Sequence, residues 1–493
     1  MLPAKTIRRW LPLALLSLLA ILAWVAAGRA DIDEASTEPI VYAEMLGSPV
    51  LSARRIPQTL QEPIAREALA PTIDTVLTNS TPDTCLIVSI DGRIIGQQNP
   101  TQPLVPASNQ KLVTTFTALQ TFGADATFRT LVRADATPTA GVLDGNLYLV
   151  GGGDPFLGTD NWWSQYDDLN GRAHTRLEDL ADSVVAAGIT QVTGSVIGDE
   201  SYFDSERTGI WAQRLIDSNQ SGPLSALAVN EGYRQWPEVY EGSSRPRVPS
   251  ENPPLLAAQL FNDLLTERGI TVDTESQVGK APSTALEIAA ISSPPLAELI
   301  THVNSYSHNF GAEILVKHLG LNASGSGSTP SGTAAINAHL RQNDFPMSGV
   351  TIVDGSGLAE TNTLTCSLLA ALLDSAGPDS IFAQSLSIAG ERGSLIRRHV
   401  ETAAQARLLA KTGTLNDVTA LSGFVLSSID EGTALVFAYI VNGELAGQDE
   451  TIRGLQSPFV EDLVLYPQAP AIDALAPLPT TPIEALPADE STG

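Results

Sequence analysis

Three apolar strand-like runs crowd the C-terminal third of the chain: ARLLAKTGTL (406–415), TALSGFVLS (419–427) and ALVFAYIVN (434–442). Only short polar turns separate them, so they are expected to pair as an antiparallel sheet. A fourth and fifth strand come from DTCLIVSIDGRIIGQQNP (83–100), which reads as a hairpin about an Asp91-Gly92 turn. Strands this apolar need cover. Helical periodicity supplies it in PPLAELITHV, SHNFGAEILVKHLG, SGTAAINAHLRQ and TLTCSLLAALLDSAG, all between 294 and 377. The spacing of Leu112, Phe116 and Leu119 predicts a further helix that buries one face, with Gly123 as its C-cap. The fold class is therefore mixed α/β (α+β), an antiparallel sheet flanked by helices.

The two strand groups are far apart in sequence. Between them, residues 126–290 carry their own mixture of strands (FRTLVRA, NLYLVGGGDP, ITQVTGSVIGDE) and helices (RLEDLADSVVAAG, LLAAQLFNDLLTERG). This stretch has the size of a separate domain and reads as an inserted α/β region. The expected organisation is an export segment at 1–30, an acidic spacer and first helix at 31–70, and a main domain split into 71–125 and 291–466. A Pro- and Ala-rich tail, 467–493, is too poor in core-forming residues to pack and is expected to be disordered.

Lys5, Arg8 and Arg9 precede WLPLALLSLLAILAWVAA (10–27), the pattern of an export signal or an uncleaved anchor. No comparable apolar run follows, so membrane contact is expected only through that segment and the bulk is expected outside the cytoplasm. A net charge of −27 argues against nucleic acid as a partner. Export permits a disulfide, yet Cys85 and Cys366 both sit in apolar surroundings, and the expectation is two unpaired, buried small residues. Six histidines show no H-E-x-x-H pattern, and neither a metal nor a cofactor is expected. GSGSTPSG (325–332) lacks the following lysine of a phosphate-binding loop, and there is no G-x-S-x-G elbow.

Lysine is scarce. Of 28 basic residues only Lys5, Lys111, Lys280, Lys317 and Lys411 are lysines; the rest are arginines. A lysine kept against that preference is a candidate for losing its proton, which arginine does not do. Lys111 follows Ser108 by three positions, so both fall on one helix face. A serine at a helix N-terminus sits beside free N–H groups, and a neutral lysine can take its proton. Taken alone, the pair reads more readily as an N-cap and a surface lysine. Lys411-Thr412-Gly413-Thr414 lies on an expected strand, where the glycine admits a ligand and the lysine and threonines can hold a carboxylate. Ser307-His308-Asn309 opens an expected helix, with an N-cap as its ordinary meaning.

In this order, S-x-x-K, S-x-N and K-T-G form the signature of penicillin-binding proteins and serine β-lactamases. The long separation of Lys111 from Ser307 resembles the D-alanyl-D-alanine carboxypeptidase/endopeptidase family of low-molecular-mass penicillin-binding proteins with a large inserted domain. GGGDP (151–155), GDESYF (198–203), SALAVNEG (225–232), DGSGL (354–358) with Asn362, and LAKTGTL (409–415) followed by LSGFV (421–425) are similar to it as well. One position departs: that family usually has Asp where this chain has His308.

The resemblance implies a serine transpeptidase/β-lactamase-like domain and a set of roles. Ser108 is the acylated nucleophile and Lys111 its base. Ser307 relays a proton to the leaving amine, and Asn309 binds the substrate amide. Lys411 helps the proton network and, with Thr412 and Thr414, holds the terminal carboxylate, with Gly413 between the threonines. The N–H groups of Ser108 and Thr414 form the oxyanion hole. The implied substrates are D-Ala-D-Ala peptides of peptidoglycan in the periplasm or cell envelope, with β-lactams as covalent inhibitors. As a base, Lys111 must be largely neutral, which is expected from burial and the nearby charge of Lys411. A β-lactamase or esterase on the same fold, and a non-catalytic wall-binding homologue, remain alternatives.

Overall fold

A computed structural model describes residues 58–467 apart from 167–171, 173, 238–246, 431, 445, 447 and 448. The expected export segment and most of the spacer and of the tail lie outside the described residues. The described residues open with helix α1 (Gln58–Thr78), followed by the hairpin β1 (Thr84–Ile90) and β2 (Arg93–Gln98). A 3-10 turn, Ala107–Asn109, leads into α2 (Gln110–Phe122), which ends at Gly123 with φ 81°. The middle of the chain supplies β3 (Arg129–Ala134), β4 (Leu147–Val150), α3 (Leu177–Ala186), β5 (Val196–Asp199), α4 (Pro253–Glu267), β6 (Gln277–Val278) and β7 (Leu286–Ser292). Then come α5 (Leu296–Ser305), α6 (Asn309–Ser324), α7 (Thr329–Gln342) and α8 (Cys366–Ala376). The main elements that follow are β8 (Ser387–Ile388), β9 (Leu408–Leu415), β10 (Val418–Leu426), β11 (Ala434–Asn442) and α9 (Asp449–Val464).

The main sheet has the order β8-β9-β10-β11-β1-β2, every neighbour antiparallel. Its central strands read as unbroken apolar runs because both faces are covered. Along β1, Cys85 and Ile87 enter a core with α2, α5 and α8, where Leu112, Phe116 and Leu368 are buried. Leu86 and Val88 point the other way, into a core with Leu69 and Ile73 of α1 and Phe459 and Leu463 of α9. A sheet between two helical layers fixes its register tightly, since a one-residue slip would exchange the two faces.

The middle region folds around a second sheet, β6-β5-β4-β3-β7, parallel across β6-β5-β4 and antiparallel across β4-β3-β7. Val132, Ala134, Leu147 and Leu149 of this sheet pack against α3 and α4.

One expectation fails. Cys85 and Cys366 are joined in a disulfide that ties β1 to α8 across 281 residues of sequence. Apolar neighbours do not argue against pairing, because a disulfide is itself apolar and both residues are fully buried. Their separation in sequence concealed the pairing.

Candidate active site

Ser108 lies in the 3-10 turn at the foot of α2, which turns Lys111 back beneath it. The preceding residue, Ala107, has φ 46°, an unusual value for a residue with a side chain. That turn is wedged between two glycines. A Cβ on Gly357 would stand 1.9 Å from Ala107 O. A Cβ on Gly413 would stand 2.9 Å from Pro106 O and 3.2 Å from Ser108 N. β9 therefore passes close to the backbone of Ser108, as an edge can only where a side chain is missing.

Lys111 is fully buried. Its Nζ donates to Ser108 Oγ at 3.0 Å, to Asn309 Oδ1 at 2.6 Å and to Ser356 O at 2.6 Å. Burial brings its pKa down to about 7, while the carboxylates of Asp354 and Glu313 act against that shift. Burial is thus the larger of the two expected causes. The carboxylates favour the charged form of Lys111, whereas Lys411 is a like-charged neighbour, and repulsion between two buried ammonium groups disfavours charge on either. Lys411 is buried as well and held well below its usual range, first by desolvation and then by Lys111. Its Nζ donates to Thr412 O at 2.8 Å.

The second motif is built at the N-terminus of α6. His308 caps this helix, its Nδ1 accepting from Gly311 N at 3.0 Å. Ser307 has φ 58° and Asn309 begins the helix. The Asn309 amide is bound at both ends, since Nδ2 donates to Gln220 O at 2.7 Å. His308 Nε2 lies 3.0 Å from Glu231 Oε1.

Ser108, Ser307, Asn309, Thr412 and Thr414 all face one cavity of about 590 Å³. Alternation along β9 puts Thr412 and Thr414 on the cavity side. Thr412 Oγ1 also shares a 2.8 Å hydrogen bond with Ser394 Oγ. Lys111 and Lys411 are not among its lining residues; both are fully buried behind them.

Two acids that sequence reading left without a role complete the arrangement. Glu313 Oε1 accepts from Gly355 N at 3.1 Å and Ser356 N at 2.8 Å. Asp354 accepts from Gly357 N, Ala359 N, Asn362 Nδ2 and Trp211 Nε1. Together they fix the 354–358 loop so that Ser356 O meets Lys111. Burial pushes Glu313 up to about 7 and raises Asp354 too. Glu313 follows Asn309 by four residues on one helix, a spacing that places it on the same face and was available as a signal.

The profile of the D-Ala-D-Ala carboxypeptidase 3 (S13) family matches residues 83–245 and 237–460. The chain belongs to this family. A carboxypeptidase DacB of Mycolicibacterium smegmatis is 30% identical over 407 residues, covering 78% of this chain and 83% of the relative. A D-alanyl-D-alanine carboxypeptidase of Actinomadura sp. strain R39 is 29% identical over 415 residues, 69% of this chain and 74% of the relative. In fold, this S13 enzyme is similar to penicillin binding protein 4 of Haemophilus influenzae. The TM-score is 0.65 at 20% identity, covering 79% of this chain and 99% of that one. The resemblance read from the three motifs is thus confirmed, and with it the transpeptidase-like fold.

Proposed function

We propose that this S13 enzyme is an exported serine D-alanyl-D-alanine carboxypeptidase or endopeptidase that acts on peptidoglycan peptides through an acyl-enzyme on Ser108. The observation that carries this reading is the contact of Ser108 Oγ with a fully buried Lys111 whose pKa is brought near neutrality.

A neutral amine keeps two N–H bonds and one lone pair. Asn309 Oδ1 and Ser356 O take the two N–H bonds, so the lone pair faces the Ser108 hydroxyl. In the first step Lys111 takes the hydroxyl proton as Oγ attacks the carbonyl carbon of the penultimate D-Ala. The N–H groups of Ser108 and Thr414 stabilise the oxyanion, at the point where Gly413 lets β9 approach. The C–N bond then breaks, and the departing amine receives a proton through Ser307. Thr412 and Thr414 bind the terminal carboxylate, and Lys411, buried behind them on the same strand, belongs to the proton network. The free hydrogen of Asn309 Nδ2 serves the substrate amide. Water finally cleaves the ester and regenerates Ser108. A β-lactam presents the same carbonyl and carboxylate and acylates the same oxygen. Penicillin binding protein 4 of H. influenzae, similar in fold, has been crystallised with a β-lactam.

Intact-protein mass spectrometry after incubation with benzylpenicillin tests the reading, with Ser108→Ala beside the wild type. A lasting adduct on the wild type alone, with D-Ala release from a pentapeptide, is expected. No adduct with intact drug would favour a non-catalytic wall-binding protein; no adduct with hydrolysed drug would favour a β-lactamase.

A further inference from the structure

A second cavity, of about 560 Å³, lies on the middle-region sheet and is nearly as large as the first. Arg129, Leu131 and Arg133 of β3 line it, whereas the alternate residues Val132 and Ala134 enter the core with α3 and α4. The cavity therefore occupies the sheet face turned away from those helices. Its floor is formed where the parallel strands β4 and β5 end, at Val150–Gly152 and at Asp199–Tyr202. Crevices at the carboxyl ends of parallel strands are common ligand sites.

The lining is unusually basic for a chain of net charge −27. Arg129, Arg133 and Lys280 all contribute to it. Arg129 pairs with Glu287 at 2.8 Å. Arg133 Nε is buried without a hydrogen-bond partner. Lys280, one of five lysines, joins no ion pair among the described residues. The one acid in the wall, Asp199, is already engaged by Ser201 N and Ala281 N, both at 2.8 Å. Two cations are thus left to face a ligand. Beside them stands Tyr202, 45% exposed, whose ring offers an apolar face.

We propose that this cavity is a second binding site, for a carboxylate-bearing segment of the peptidoglycan polymer. The inference rests on the substrate reading given above. Arg133 and Lys280 pair with carboxylates of neighbouring peptide stems, and Tyr202 packs against the sugar or alkyl part. A polymer that occupies both cavities gains affinity through effective concentration, whereas a short peptide fills only the first.

The test compares wild type, Lys280→Gln, and Arg133→Gln with Lys280→Gln, each also in a Ser108→Ala background for binding. Cosedimentation with purified sacculi stripped of teichoic acid is expected to weaken about tenfold in the double variant and less in Lys280→Gln, and to fall with salt. D-Ala release from a soluble pentapeptide and benzylpenicillin acylation are expected to stay unchanged. Undiminished sacculus binding in both variants overturns the proposal, as does a parallel loss of pentapeptide turnover, which would make the cations a structural prop. A wild type that neither releases D-Ala nor is acylated overturns the substrate reading instead.

Discussion

His308 Nε2 and Glu231 Oε1 lie 3.0 Å apart, one at the start of α6 and the other in the buried SALAVNEG stretch of the middle region. The contact ties the second motif to a loop that is distant in sequence. Burial alone would raise Glu231, but His308 first and Arg247 second hold it below the ordinary carboxylate range.

His308→Ala removes both the cap on Gly311 N and this partner. A loss of about 2 kcal/mol is expected by chemical denaturation. The sign of its pH dependence follows from Glu231. A depressed carboxylate stabilises the fold above its unfolded value, about 4.3, and that contribution disappears as pH falls through the folded value. The gap between wild type and variant should therefore be widest near neutral pH and narrow below about pH 4. A gap that widens in acid would show that Glu231 is not the partner that matters.

Lys111 must be neutral to act as a base. Its pKa of about 7 predicts that benzylpenicillin acylation rises with pH through about 7 and then levels. Glu313→Gln keeps an acceptor for Gly355 N and Ser356 N but removes a charge that raises Lys111. The limb should move to lower pH, with the fold intact. Lys111→Arg should slow acylation by about a thousandfold or more, because a guanidinium does not give up its proton in this range. Stopped-flow acylation rates across pH 5 to 9 would reveal either an unmoved limb or an active Arg variant, and each would remove Lys111 from the role.

Gly357 has φ +82° and would drive a Cβ to within 1.9 Å of Ala107 O. Gly357→Ala must therefore shift the turn that carries Ser108 or the loop that carries Ser356 O. Strain of about 1–3 kcal/mol and a loss of acylation larger than the loss of stability are expected. An alanine variant that is acylated at the wild-type rate would mean that this wedge does not position the nucleophile.

Much of this was legible in sequence because its signals are local. The strands of the main sheet, α2, and α6 each follow from their own periodicity. The three motifs follow from residue spacing on those elements. The parts that were missed depend on contacts between distant segments. Asp354 and Glu313 look like ordinary acids until the 354–358 loop folds against α6 and α2. The acidic charges that act on Lys111 come from other parts of the chain, so S-x-x-K spacing does not show them. The cysteine pair was misread because apolar context describes burial and says nothing about partnership.

The Cys85–Cys366 disulfide closes a loop of 281 residues that contains the whole middle region. Closing so long a loop removes much conformational freedom from the unfolded chain, and a contribution of about 2–5 kcal/mol is expected. Both sulfurs are buried between β1 and α8, away from the cavity that Ser108 faces. Cys85→Ala with Cys366→Ala should therefore lower the denaturation midpoint while leaving the acylation rate of the folded protein near that of the wild type. Mild reductant should act slowly on the native protein, because its target is inaccessible until the chain opens, and quickly once denaturant exposes it. Thiol titration with and without denaturant checks this. Two free thiols in the native, oxidised protein would show that the pair is not joined, and a coupled loss of acylation would show that the link reaches the site.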